Sequence, residues 1–376
     1  MNESTQSGQA ATGSGWRKAF AMLGALLLIG IALEASSSSL PPRPAIAADD
    51  PKDKRPTASA VASANAFLDA LDAKQRALAL LEYSSDKKPN WSNLPVTFVP
   101  RNGVRLGDLN KEQREKAMDV VAAVLSKDGY QKVIDIMDGD QKLTEGKGGG
   151  GKGKDGGKGK DGGKGPMFGK DQYYLAIFGK PSETKPWMVQ FGGHHLGINV
   201  TVIGKNFVLT PTHTGAQPAL FKRDGKEVRP LGQESDAAFK LVAALDEKQR
   251  EKAVIGERPQ GELLLGPGRD GKTIEPKGVK GSALTADQQA MLLDVIGAWV
   301  NIVESDAAAS RMAAIKEKIG ETYFAWSGPT EKGKAAYFRV QGPTVVIEYA
   351  PQGGTDHIHT VIRNPEDDYG VGSSKP

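Results

Sequence analysis

The sequence predicts an α+β fold with antiparallel sheets, built from two related halves that each run helix, helix, strand, strand. Apolar residues recur at helical spacing early in each half, and alternating apolar stretches bounded by turn residues follow later. Similar segments also return in the same order along the chain. We predict a linker at 48–60, a first half at 61–231, a second half at 232–370 and a tail at 371–376.

The internal duplication rests on three pairs of similar segments. Chance similarity between amphipathic helices would not place three matches in one order, so we interpret them as repeats. The pairs are Ala70–Arg76 with Ala244–Arg250, Gly103–Arg114 with Gly278–Gln289, and Tyr173–Gly179 with Thr322–Gly328.

Helices and strands are indicated by ordinary local signals. Asn110 and Thr285 precede carboxylate-containing helical stretches and are predicted N-caps. Apolar stripes in these helices are interpreted as core, and Gly204-Lys205-Asn206 is predicted to be a hairpin turn. The predicted strands are Tyr174–Phe178, Trp187–Phe191, Leu196–Ile203, Phe207–Thr210, Tyr323–Trp326, Ala336–Val340, Val345–Tyr349 and His357–Ile362.

The first 47 residues are typical of a signal peptide, or of an N-terminal anchor followed by a tether. Arg17 and Lys18 precede the apolar run Ala19–Leu33, which is shorter than the roughly 20 residues that span a membrane. The cleavage-like site Ala45–Ala47 lies far from this run, so both alternatives stay open. We therefore expect an exported protein, periplasmic, extracellular or anchored on the outer side, whose N-terminal segment meets the membrane.

Composition excludes several classes of protein. The chain has no cysteine, which excludes thiolate metal sites and cysteine nucleophiles. Its formal charge of +4 comes from a lysine-rich and glycine-rich stretch at 146–165, and the remainder is neutral. That stretch is predicted to be a disordered insertion because it contains almost no apolar residue to bury. Without a basic groove carrying aromatic residues, we do not expect nucleic-acid binding.

The histidines are the best indication of a site. Four of the five form two pairs, His194-His195 and His357-x-His359. Residues two apart on a strand share a face, so His357 and His359 would present two imidazoles together, with His194 or His195 joining if the halves converge. Glu348 and Asp356 could add oxygen ligands. This donor set suits Zn, Fe, Mn or Cu.

Two long motifs resemble the DUF3500 family of uncharacterised proteins. The first is Phe191–Asn199 with Thr210-Pro211, and the second runs from Gln341 through His357–Thr360 to Arg363–Gly370. The resemblance covers roughly Ala60–Gly370. It implies that both histidine pairs belong to the family pattern, and it implies no activity.

We hypothesise a metal-dependent enzyme, hydrolytic or oxidative, that acts on a small extracytoplasmic substrate. His195, His359, Arg363 and Tyr369 are the candidate catalytic residues. One alternative is a non-enzymatic cell-envelope module in which Arg363 binds an anionic ligand or a partner. Another is that the histidines are purely structural. Whether the protein is an enzyme stays open at this point.

Overall fold

The computed structural model describes residues 56–145 and 167–374. The predicted signal or anchor at 1–47 and the predicted insertion at 146–165 lie outside the described residues. None of the helices in the described part of the chain is long and apolar enough to cross a membrane. The first helix begins at Pro56, so the last five residues of the predicted linker at 48–60 are helical.

Eight α-helices form within the described residues. Four of them begin with a capping box, in which the N-cap side chain and a glutamine three residues later each accept the other's backbone N–H. The predicted N-caps Asn110 and Thr285 are confirmed. The helices are α1 (Pro56–Asp69), α2 (Ala73–Ala79), α3 (Lys111–Val124), α4 (Lys127–Glu145), α5 (Gly232–Ala243), α6 (Glu247–Ala253), α7 (Ala286–Val300) and α8 (Ser305–Glu317).

The strands of the described residues agree closely with most of the predicted segments. The strands that were not predicted are very short ones and Thr212–Ala216, which follows a proline and contains few apolar residues. The strands are β1 (Leu80–Leu81), β2 (Val104–Arg105), β3 (Tyr174–Phe178), β4 (Trp187–Gly192), β5 (Leu196–Ile203), β6 (Asn206–Val208), β7 (Thr212–Ala216), β8 (Phe221–Arg223), β9 (Lys226–Val228), β10 (Val254–Gly256), β11 (Val279–Lys280), β12 (Tyr323–Ser327), β13 (Tyr337–Gln341), β14 (Val346–Pro351) and β15 (Ile358–Arg363).

One large sheet runs through both halves, in the order β1-β3-β4-β5-β7-β15-β14-β13-β12-β10. The predicted antiparallel pairing is present from β3 to β12. It is wrong at the two ends of the sheet, where β1 pairs with β3 and β10 pairs with β12 in parallel. Helices separate each of these pairs along the chain, and such a crossover lets the second strand return in the same direction. The fold is therefore mixed α and β with a mixed sheet.

The two faces of the sheet differ in character. Side chains alternate along each strand, and the apolar face packs against α1 and α3 in one core and against α5 and α7 in a second. On β15, Ile358 and Ile362 belong to the apolar core, whereas His359 and Arg363 point to the opposite face. That opposite face is unusually polar for a buried surface, so its groups must find partners there.

Two irregular segments cover the polar face, one from each half. Residues 82–103 are the first covering loop. Gln190 of β4 holds this loop, because its side-chain amide donates to Lys88 O at 2.8 Å and accepts a hydrogen bond from the Asn102 amide at 2.7 Å. Residues 257–278 are the second covering loop. Glu348 accepts the backbone N–H of Leu264 and Leu265 from this loop, at 2.9 and 2.7 Å. The polar face therefore anchors both loops above the sheet.

Candidate metal centre

The sheet topology brings the two histidine pairs together. His194 and His195 lie in the turn between β4 and β5, and His357 and His359 lie at the start of β15. Strand β7 pairs with both β5 and β15, so it joins the two motifs at one end of the central strands. The predicted convergence of the two pairs is thus present in the structure.

Gly215 makes room for this meeting. It lies opposite His359 in the register of β7 and β15, and its backbone N–H donates to His195 O at 2.7 Å. A Cβ at position 215 would lie 2.9 Å from Ile358 O and 3.0 Å from His195 Cδ2. The absence of a side chain at Gly215 lets the His195 ring approach the strand.

Three imidazole nitrogens face one another at the centre. His357 Nε2 lies 3.0 Å from His195 Nε2 and 3.0 Å from His359 Nε2. His195 and His359 are buried, while His357 is only partly buried, so the group has one side turned toward solvent. These three residues could bind a metal ion.

Hydrogen bonds cannot satisfy all three nitrogens. Asp140 Oδ1 lies 2.7 Å from His195 Nδ1, which places the proton on Nδ1 and leaves His195 Nε2 as an acceptor. An imidazole nitrogen has one in-plane position, occupied by either a proton or a lone pair. His357 Nε2 can therefore make only one of its two 3.0 Å contacts as a hydrogen bond. A cation between the rings would accept all three lone pairs.

Burial keeps the rings in the form that binds metals. Desolvation, with the neighbouring imidazoles, lowers the pKa of His357 to about 4 and holds the pKa of His359 well below its ordinary value. Both rings are consequently neutral at pH 7, with lone pairs available.

Groups around the three rings hold two of them in place. Burial by itself would raise the pKa of Asp140, but His195 and His194 beside it lower that pKa below its usual range. The Tyr173 hydroxyl donates to Asp140 Oδ2 at 2.7 Å. The amide nitrogen of Asn93, on the first covering loop, lies 3.0 Å from His359 Nδ1. Such outer contacts fix the tautomer and orientation of metal-binding histidines.

A second group of possible ligands shares His195. Asp140, His194 and His195 could also bind a metal ion, with ligand atoms within 4.8 Å of one another. His194 Nδ1 lies 3.4 Å from Asp140 Oδ1, and the rings of His194 and His195 are in contact, with centroids 3.6 Å apart and an angle of 37° between their planes. His194 Nδ1 is buried without a hydrogen-bond partner.

His213 lies beside the centre but outside both groups. Its ring is 5.5 Å from the ring of His359, and its Nδ1 donates to Thr360 O at 2.7 Å. Complete burial lowers the pKa of His213 to about 3. Its Nε2 is therefore a buried lone pair, and it has no hydrogen-bond partner.

Arg363 and Tyr369 both contact Trp91, whose ring also lies 6.3 Å from the ring of His213. The Arg363 guanidinium donates to Asp368 at 2.8 Å, to Asp270 at 3.2 Å and to two backbone carbonyls of the second covering loop. The Tyr369 hydroxyl donates to Asp270 at 2.8 Å and accepts from the Trp91 indole at 2.8 Å. These contacts favour a structural role for both residues.

The two predicted oxygen ligands are also engaged elsewhere. Glu348 accepts the Tyr337 hydroxyl at 2.8 Å as well as the two backbone N–H groups of the second covering loop. Asp356 is exposed, and its carboxylate accepts the Ala219 N–H at 3.1 Å. Neither belongs to a group of possible metal ligands among the described residues, because each carboxylate holds backbone rather than facing the histidines.

Asp140 and Asn93 were not among the site residues predicted from the sequence. Asp140 follows Val133, Ile136 and Met137 at helical spacing, so it is a carboxylate in the buried stripe of α4. A charged residue in an apolar stripe is a recognisable signal, because buried charges need partners. Asn93 lies in an irregular loop, where no periodicity marks it.

Comparison with known proteins adds one match. A family model described as "Protein of unknown function (DUF3500)" matches residues 53–371. Comparison with curated proteins and with solved structures finds no match. The matched region includes both histidine pairs and Asp140, and the chain belongs to the DUF3500 family.

Proposed function

We propose that this protein is a metal-dependent enzyme, hydrolytic or oxidative, acting on a small extracytoplasmic substrate. A transition-metal ion would be held by His195, His357 and His359 through their Nε2 atoms. The observation that carries the proposal is the pair of 3.0 Å contacts at His357 Nε2, which hydrogen bonds cannot both satisfy.

The spacing of the nitrogens suits coordination. With metal–nitrogen bonds of about 2.0–2.1 Å, two nitrogens 3.0 Å apart subtend an angle of roughly 90–95° at the metal. Three protein ligands leave further positions open, which is typical of catalytic rather than structural sites. The partly buried His357 marks the side from which a substrate would enter. A bound metal would supply Lewis acidity and an activated water or, for a redox metal, electron transfer.

Within this proposal the protein's own residues orient the ligands. Asp140 accepts the Nδ1 proton of His195, which directs the lone pair of Nε2 toward the metal. The Asn93 amide would do the same for His359 with its oxygen turned to Nδ1, since an amide can take either orientation.

The alternative of an anion-binding module receives less support. It assigned the anion to Arg363, whose donors already serve two carboxylates and two carbonyls of the protein. A guanidinium engaged in this way has little capacity left for a ligand. A ligand whose affinity falls on Arg363→Ala in a metal-free protein would restore this alternative.

We also propose that the two halves are repeats. The Gln75–Gln113 contact at 3.3 Å has a counterpart in Gln249–Gln288 at 2.8 Å, in each case between two capping glutamines. Each half then continues through two short strands and two helices into the antiparallel part of the sheet, where both short strands pair with β3 or with β12. We further propose that the protein is exported, and the support for this is the signal-like sequence from Arg17 to Ala47.

Elemental analysis of the purified full chain, produced without affinity histidines or chelators, tests the metal. We expect at least one equivalent of a transition metal, and a folded His357→Ala/His359→Ala variant should contain one equivalent less. Asp356→Ala is the matched control, because Asp356 adjoins His357 in sequence but holds Ala219 instead. Absence of metal after reconstitution with Zn, Fe, Mn and Cu would refute the proposal.

A further inference from the structure

We propose that the centre holds two cations and that His195 bridges them. The second cation would be bound by Asp140 Oδ1, His194 Nδ1 and His195 Nδ1. This inference rests on the proposed function, because the first cation occupies the other side of the same His195 ring.

The distances fit ligands of one cation. Asp140 Oδ1 lies 2.7 Å from His195 Nδ1 and 3.4 Å from His194 Nδ1. With bonds of about 2.0–2.2 Å, these separations correspond to angles of roughly 80–110° at the metal, the range of adjacent ligands. The two histidine rings lie side by side with a tilt of 37°, and both Nδ1 atoms are close to the same carboxylate oxygen.

His194 provides an independent indication of a ligand. The residue is only 5% exposed, and its Nδ1 is buried without a hydrogen-bond partner. A buried polar atom without a partner destabilises a folded protein, so such atoms are rare. Coordination to a cation would use this nitrogen.

The buried negative charge of Asp140 also indicates a bound cation. Its carboxylate is completely buried, and its ion-pair contacts within the described residues are to His194 and His195, whose imidazoles are charged only if protonated. Buried carboxylates are ordinarily paired with a cation or bound to a metal. A divalent ion at Asp140 would supply the missing positive charge.

The proton balance is simple. With one cation present, His195 keeps the proton on Nδ1 and donates it to Asp140. Binding of the second cation breaks this N–H bond, forms a metal–nitrogen bond and releases the proton to solvent. His195 then becomes an imidazolate that binds one metal through each nitrogen, and no group is oxidised or reduced.

The test is a titration of the full metal-free chain with Cu²⁺, followed by removal of weakly bound ion by gel filtration. We expect two equivalents of copper, and an electron paramagnetic resonance signal well below that of two isolated ions, because imidazolate-bridged Cu²⁺ ions couple. His194→Ala should retain one equivalent with the full signal of one isolated ion. Asp356→Ala should behave as the wild type.

The outcomes separate this inference from the proposed function. One equivalent in the wild type, with an uncoupled signal, overturns the second cation and leaves the first in place, whatever the variants show. No bound copper overturns the second cation, and a further absence of bound Zn, Fe and Mn refutes the proposed function as well. If His194→Ala fails to fold, His194→Gln, which keeps a comparable volume, takes its place, and two retained equivalents there would also overturn the assignment.

Discussion

Replacing Gly215 by alanine tests whether the position of the His195 ring controls metal binding without removing any ligand. The new Cβ would lie 3.0 Å from His195 Cδ2 and 2.9 Å from Ile358 O. To reach the 3.4 Å of an ordinary contact, the ring must retreat by about 0.4 Å. Metal–ligand distances tolerate about 0.2 Å, so His195 Nε2 would leave its productive position.

We expect two measurable effects of Gly215→Ala. Zinc affinity, measured by competition with a chromophoric chelator, should fall about 10–100-fold, as for other changes that disturb ligand orientation. The free energy of unfolding of the metal-free protein, measured in urea, should fall by about 1–3 kcal/mol because the site is overpacked.

Gly354→Ala is the matched control for this experiment. Gly354 precedes His357 by three residues, and an added Cβ there meets no atom within 4 Å. Its zinc affinity and stability should match the wild type. If Gly215→Ala lowers stability but binds zinc with unchanged affinity, the His195 ring is not a ligand and the reasoning fails.

Three further predictions concern the buried polar residues Asp140, Glu348 and His213. Asp140→Asn keeps the size of the side chain but removes its charge, and we expect the zinc affinity of the His195 site, measured by titration with zinc, to be about 10–100-fold lower. An unchanged affinity would contradict the orienting role of Asp140. Glu348→Gln should lower the free energy of unfolding in urea by about 1–3 kcal/mol and speed proteolysis of the second covering loop, because a buried carboxylate holds that loop; equal stability and cleavage would show that it does not. Burial lowers the pKa of His213 in the folded state to about 3, so protonation of His213 favours the unfolded chain. In the metal-free protein, His213 should therefore lower the free energy of unfolding by about 1.4 kcal/mol for each pH unit below pH ~6.5. His213→Phe should remove that part of the slope in urea unfolding measured from pH 7 to 5, and an unaltered slope would contradict it.

Elements defined by local signals could be predicted well. The caps at Asn110 and Thr285 depend on residues within one turn, and strands such as Leu196–Ile203 show their alternation directly. Strand β7 (Thr212–Ala216) escaped prediction because its threonines, histidine and glycine form no apolar run. Its buried position comes from pairing on both sides, which is a tertiary property.

Some residues of the candidate site could be predicted from the sequence, and others depend on tertiary contacts. The histidine pairs are visible as motifs because four of five histidines cluster in a chain that has few. Arg363 looked equally promising, since a lone arginine in a motif does not reveal that two carboxylates already surround it. Conversely, Asp140 was overlooked because it lies 55 positions from His195.

The sequence by itself determined the family, the main helices and strands, and the two histidine motifs, because each depends on residues close together in the chain. Only the tertiary structure decided which histidine nitrogens face one another, that Asp140 supports His195, and that Glu348, Asp356 and Arg363 hold backbone or carboxylates instead. The physical reason is that ligand geometry depends on distances of tenths of an ångström between distant segments, and these are set by strand pairing and by the absence of a side chain at Gly215.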